Sequence, residues 1–263
     1  MVRAADLYCG SAWVPARELI ESHAGRVRVW IVSAGQGLLT PETMICPYAA
    51  TFSAGHLDSV ISACNGTHST ADWWRLLCEW RQKISRSACC SVAGIAKRFP
   101  KESIIAALSS DYLDAVHDDL ILARGALCNP DRLVIVSSGS AKDGVLRESF
   151  LPCDSRMEHV VGRGRSALNV RILQAVVSQA HPDRICMAEL RTRYERKISR
   201  LPHAGYPKRV RSTDDEVRRF IRAALKTGLP TSHSRLLKAF RKSGLACEQS
   251  RFRGLFQELK TKG

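Results

Sequence analysis

Two short β-branched runs, residues 27–32 and 132–136, each discharge into a Ser/Gly turn: Ser33-Ala34-Gly35-Gln36-Gly37 after the first and Ser137-Ser138-Gly139-Ser140 after the second. Apolar runs of this kind, with Arg28 inside the first and Arg132 opening the second, mark buried-type strands of an open α/β sheet. Ligands bind at the carboxyl edge of such sheets. Helical periodicity fills the chain between and around the runs. It appears at residues 15–23, at 71–85 with a Trp73, Trp74, Leu77 and Trp80 face, and at 110–127 behind caps at Ser109 and Ser110. A further stretch, 166–179, aligns Leu168, Ile172, Leu173, Val176 and Val177. Strands alternating with helices predict an α/β domain over residues 1–200.

From about residue 184 the strand signal fades and Arg and Lys accumulate, and Leu201-Pro202-His203-Ala204-Gly205-Tyr206-Pro207 reads as a linker. Thr213-Asp214-Asp215-Glu216 is a capping box, followed at helical spacing by Val217, Phe220, Ile221, Ala224 and Leu225 until Gly228 and Pro230. A second helix is predicted from Thr231 or Ser232 to Gly244 on Leu236, Leu237 and Phe240, and a third on Phe252, Leu255, Phe256 and Leu259. These three predict an all-α, helix-turn-helix-like domain over residues 212–263.

Charge suggests its partner. The chain carries 40 Lys and Arg against 25 Asp and Glu, a net +15, and from His203 onward 15 basic residues face only 5 acidic ones. Ten of the fifteen net charges thus sit in the tail, which favours a polyanion, DNA first, over a basic bundle used for protein contacts. Gln249, Ser250, Arg251 and Arg253 would lead the third helix into a groove, with Lys238, Arg241 and Lys242 on phosphates. Arg163 and Arg165, in Gly162-Arg163-Gly164-Arg165, would clamp a phosphate or simply form a basic turn.

The common nucleotide-loop, metalloprotease and serine-hydrolase fingerprints are missing. The ten cysteines form no C-x-x-C pair, so neither zinc nor any other cofactor is expected. The first residues lack a secretory core, and no stretch approaches a membrane span, so the expected location is the cytoplasm, away from membranes.

Three segments hold more polar side chains than loops require: residues 5–11, residues 33–59, and Leu151-Pro152-Cys153-Asp154-Ser155-Arg156-Met157-Glu158-His159. Gathered at strand ends they would form one pocket. Within it Asp154 is the candidate acid or base and Cys153 the candidate nucleophile, with Cys9 and Cys46 as rivals. Tyr8, Ser11, Ser33, Gly35, Tyr48, Ser138, Arg156 and His159 are the candidate substrate contacts, His159 serving equally well as a structural histidine.

Asp6-Leu7-Tyr8-x-x-Ser11, Ile31-Val32-Ser33-Ala34-Gly35-Gln36-Gly37-Leu38-Leu39 and Pro47-Tyr48-Ala49-Ala50-Thr51-Phe52 together resemble sequence blocks of the YaaA-like family. That family joins DNA-binding peroxide-stress proteins to relatives of a domain in archaeosine synthase. The resemblance spans roughly residues 1–180 and leans toward the branch serving bacterial 7-deazaguanine DNA modification. It implies a YaaA-like α/β fold and hydration of the nitrile of 7-cyano-7-deazaguanine in DNA to the amide, alongside other DNA-modification proteins. A nitrile carbon needs either a thiolate that adds to it or an acid and a base that deliver water, so Cys with Asp suits the reaction. Non-enzymatic DNA binding and base excision are the rival expectations.

Overall fold

The computed structural model describes residues 1–63, 68–84, 89–139, 144–179, 185–203, 209–226 and 232–261. The chain divides into two units, Met1–Ala204 and Gly205–Gly263. In the first, β1 (Val2–Arg3), α1 (Ala4–Leu7) and α2 (Trp13–Ser22) precede a hairpin of β2 (Ile31–Ser33) and β3 (Gly37–Leu39). β4 (Met44–Ile45) pairs antiparallel with β1. Then follow α3 (Val60–Ala63), α4 (Thr70–Ile84), α5 (Val92–Arg98), β5 (Ile104–Leu108), α6 (Ser110–Ala126), β6 (Leu133–Ser137), α7 (Gly144–Arg147) and β7 (Phe150–Pro152). The unit ends with α8 (Glu158–Val161), α9 (Leu168–Gln179) and α10 (Met187–Ser199).

β5, β6 and β7 form a parallel sheet in that order, and all five residues of the central strand are buried. Successive strand side chains point to opposite faces. Leu133 and Ile135 therefore pack with Ala96, Val116 and Leu120 of α5 and α6. Val134 and Val136 pack with Leu168 and Ile172 of α9 and Tyr194 and Ile198 of α10. Each fully buried Leu, Ile or Val contributes about 1.5–3 kcal/mol, so this strand with its two helical coats anchors the unit. The fold is mixed α/β.

Two expectations change. The run at 27–32 becomes a strand only at Ile31, and it turns back through Gly37, at φ +73°, into an antiparallel hairpin. Arg28 is drawn away to an ion pair with Glu102 and stacks over Phe99. The Ser33 loop is therefore a hairpin turn and not a carboxyl-edge loop of the parallel sheet. The basic stretch after residue 184 contains α10, whose buried Met187, Tyr194 and Ile198 were masked in the sequence by surrounding Arg, Lys and Glu.

In the second unit β8 (Val210–Arg211), α11 (Asp214–Leu225), α12 (His233–Lys242), β9 (Leu245–Ala246) and α13 (Gln249–Thr261) enclose Val217, Ile221, Leu236, Leu237, Phe240, Phe252, Leu255 and Phe256. The capping box forms, with the Thr213 backbone N–H donating to Glu216 at 2.8 Å and the Glu216 N–H to Thr213 Oγ1 at 3.3 Å. The unit is not purely helical. β8 and β9 pair in parallel, held by Val210 N–H to Gly244 O at 2.9 Å and Ser212 N–H to Ala246 O at 3.1 Å. Gly228, Pro230, Thr231, Ser140 and residues 204–208 lie outside the described residues. No described helix is long and apolar enough to cross a membrane.

Candidate functional site

The three blocks that carry the family resemblance converge on one hydrogen-bonded cluster. Tyr8 Oη lies 2.5 Å from Tyr48 Oη, and Tyr48 Oη bonds to Ser33 Oγ. Ser33 Oγ also accepts the backbone N–H groups of Gln36 at 3.0 Å and Gly35 at 3.3 Å. Each of these hydroxyls can both donate and accept, so Tyr8, Tyr48 and Ser33 share their protons along one chain. Burial pushes the Tyr8 phenol well above its ordinary range, which keeps it a neutral donor.

Local structure holds the cluster in place. The Tyr8 ring sits 5.4 Å from that of Trp13, whose Nε1–H donates to Ala5 O at 2.9 Å, and Trp73 Nε1–H donates to Ala34 O at 2.7 Å. Gly35 is needed because a Cβ there would lie 2.5 Å from the Tyr48 ring. Tyr112, on the first turn of α6, joins from the parallel sheet's side through Thr51 and was not singled out by sequence. Its only sequence signal was a position just past the Ser109 cap.

The third segment follows β7 at the carboxyl edge of the parallel sheet, where Cys153 N–H donates to Ser137 O at 3.1 Å. Asp154 is clamped by Arg156, with Nη2–H donating to Oδ2 at 2.7 Å and both Nε–H and the backbone N–H donating to Oδ1. The Arg156 guanidinium holds the Asp154 carboxyl below the usual carboxylate range, so it is ionised at neutral pH and poorly suited to give up a proton. The pair's stabilisation is present above the unfolded carboxylate pKa near ~3.9 and is lost as pH falls through the lower folded value. Burial, with Asp154 and Glu158 nearby, pushes the Cys153 thiol up to about 11.

Glu158 is the carboxylate that sequence reasoning missed. It is 8% exposed, and its Oε1 is buried with no hydrogen-bond partner. Asp154 and Glu158, four positions apart, look alike in sequence, and only burial separates them. His159 and Ser138 are exposed.

The sequence-predicted pocket is thus divided. Tyr8, Ser33, Gly35 and Tyr48 form one group, and Cys153, Asp154 and Arg156 form another at the sheet edge. Ser11 faces neither group, its Oγ lying 2.7 Å from Ser166 Oγ beside the glycine–arginine loop. That loop, with Gly162 at φ +92° and Gly164 at φ +128°, wraps the Arg171 guanidinium, which donates to Arg163 O at 2.5 Å, while Arg163 and Arg165 are exposed. Cys9 and Cys46 are exposed.

Thiol reactivity should follow this placement. At pH 8 only about a thousandth of Cys153 would be thiolate, so brief iodoacetamide treatment is expected to label Cys9 and Cys46 and spare Cys153. Peptide mass mapping that finds Cys153 modified first would contradict the burial described here.

In the second unit Lys238 and Lys242 are exposed, and with Arg209, Arg241, Ser234, Leu237 and Gln249 they line an open concavity of about 420 Å³. Arg253 is exposed, but Arg251 is committed within the unit: its Nε–H donates to Asp214 Oδ1 at 2.6 Å and its Nη2–H to Ser212 O at 3.1 Å. Among the described residues no group of three His, Cys, Asp or Glu side chains is arranged to hold a metal ion. No family model, curated protein or solved structure matches the chain.

Proposed function

We propose that the protein binds duplex DNA and hydrates the nitrile of a 7-cyano-7-deazaguanine base within it, with a YaaA-like unit for the base and a helix-turn-helix-like basic unit for the duplex. One observation carries the reading: Tyr8, Ser33 and Tyr48, one from each block of the family resemblance, meet in a single chain of hydroxyl donors. Such a donor can polarise a nitrile nitrogen or read a purine-like edge, while water adds at the carbon. A base reaches these hydroxyls after leaving the stack. Asp154 is set aside as the proton carrier, because Arg156 pairs with it and it belongs to the group apart from this hydroxyl chain.

A second reading, DNA binding without chemistry, draws on the same segment: a high-pKa thiol beside a clamped carboxylate is a poor catalytic pair. The test is to incubate the full chain with duplex DNA bearing the cyano base and to weigh the released nucleosides. Gain of one water is expected, a free base would mean excision, and an unchanged base would mean binding alone. Tyr8→Phe is expected to cut turnover at least ~100-fold with DNA affinity kept, and Asp154→Asn to cut it far less. The reverse order would return the proton-transfer role to Asp154.

A further inference from the structure

The second unit offers two ways to meet DNA, and they differ in charge. The start of α13 is screened by acid. Glu248 accepts the backbone N–H groups of Ser250 at 3.0 Å and Arg251 at 2.9 Å, filling the helix terminus where a phosphate would otherwise bind. Asp214 takes the Arg251 guanidinium. The concavity between Arg209, α12 and Gln249 is different: no carboxylate lines it, although Glu248, next to Gln249, acts on Arg241. Ser234, Lys238 and Lys242 fall at i, i+4 and i+8, so they share one face of α12, and Arg241 adjoins it.

Two lysines at i, i+4 repel and cost helix stability, and no acid in the lining offsets them. Arg209 and Arg241 are aimed by backbone carbonyls: Arg209 Nε–H donates to Arg241 O at 3.0 Å, and Arg241 Nη2–H to Cys247 O at 3.1 Å. Each guanidinium keeps further N–H donors for another acceptor. Four cations converging on a concave surface, two pre-oriented and two mutually repelling, are arranged for several phosphates at backbone spacing.

We infer that this concavity seats the phosphate backbone of duplex DNA, with α12 as the helix laid against it and α13 contributing Gln249 alone to the lining. The inference rests on the proposed DNA binding and specifies its surface. The experiment uses the full chain and a fluorescein-labelled 20-base-pair duplex, with dissociation constants measured from 50 to 300 mM KCl. Lys238→Ala with Lys242→Ala is expected to lower the slope of log K against log salt by about 2, and Arg251→Ala with Arg253→Ala by less than about 0.5. A slope unchanged in the lysine variant but reduced in the arginine variant overturns the inference and leaves DNA binding standing. Failure of the unsubstituted chain to bind the duplex at 50 mM KCl overturns both.

Discussion

Asp119→Ala is expected to lower the stability of the N-terminal unit by about 3 kcal/mol, measured as the shift in urea midpoint followed by tryptophan fluorescence. Asp119 stands on α6 but serves two other helices. Its Oδ2 accepts Val92 N–H at 2.7 Å and Trp74 Nε1–H at 3.0 Å, and its Oδ1 accepts Ala93 N–H at 2.9 Å. Ser91 Oγ accepts the Gly94 N–H at 2.9 Å, so the two side chains together satisfy the first three N–H groups of α5. Those groups have no partner within the helix, and the carboxylate also faces the positive end of its dipole. Removing it strands two amides and the indole of Trp74, which is 3% exposed. Asp119→Asn retains one acceptor oxygen and should cost roughly half as much. A midpoint shift equivalent to less than about 1 kcal/mol for the alanine variant would mean that water replaces the carboxylate at little cost.

The contrast between Asp119 and β6 explains what sequence could reveal. Leu133 to Val136 are apolar without interruption, and that pattern has one common meaning, a strand covered on both faces. The three tail helices were equally legible, since apolar spacing, capping box and stop signals agreed there. Asp119 follows His117 and Asp118 in an amphipathic stretch, where nothing marks one acid as a tertiary cap and its neighbour as solvated. Glu158 was hidden for the same reason: burial depends on how β7 and α8 return against α9. The hairpin at Ser33 was misread because strand pairing is a long-range property that a short β-branched run does not encode. For the site, the sequence named Tyr8, Ser33, Gly35 and Tyr48 individually, but their separation from Asp154 follows from the hairpin lying outside the parallel sheet.

Gly35→Ala tests that hydroxyl cluster most directly. Gly35 does not have a positive φ, so alanine brings no backbone strain, and by backbone entropy alone it should be neutral or slightly stabilising. The obstacle is steric. The added carbon would sit 2.5 Å from Cδ2 and Cε2 of Tyr48 and 3.2 Å from Cβ of Ala50, so the ring must move. Displacing it breaks the bonds to both Tyr8 and Ser33, and the substitution is expected to cost about 2–3 kcal/mol. In a Tyr48→Ala background the ring is gone, and the same change should cost less than about 0.5 kcal/mol. The coupling between the two positions is then near 2 kcal/mol, which a double-mutant cycle of unfolding free energies measures. On the proposed function Gly35→Ala also loses nitrile hydration, because the hydroxyl of Tyr8 loses the bond with Tyr48 that orients it, while salt-dependent duplex binding by the tail persists. Additive costs in the cycle would show that the Tyr48 ring does not lie over Gly35, and the hydroxyl chain would fall with it.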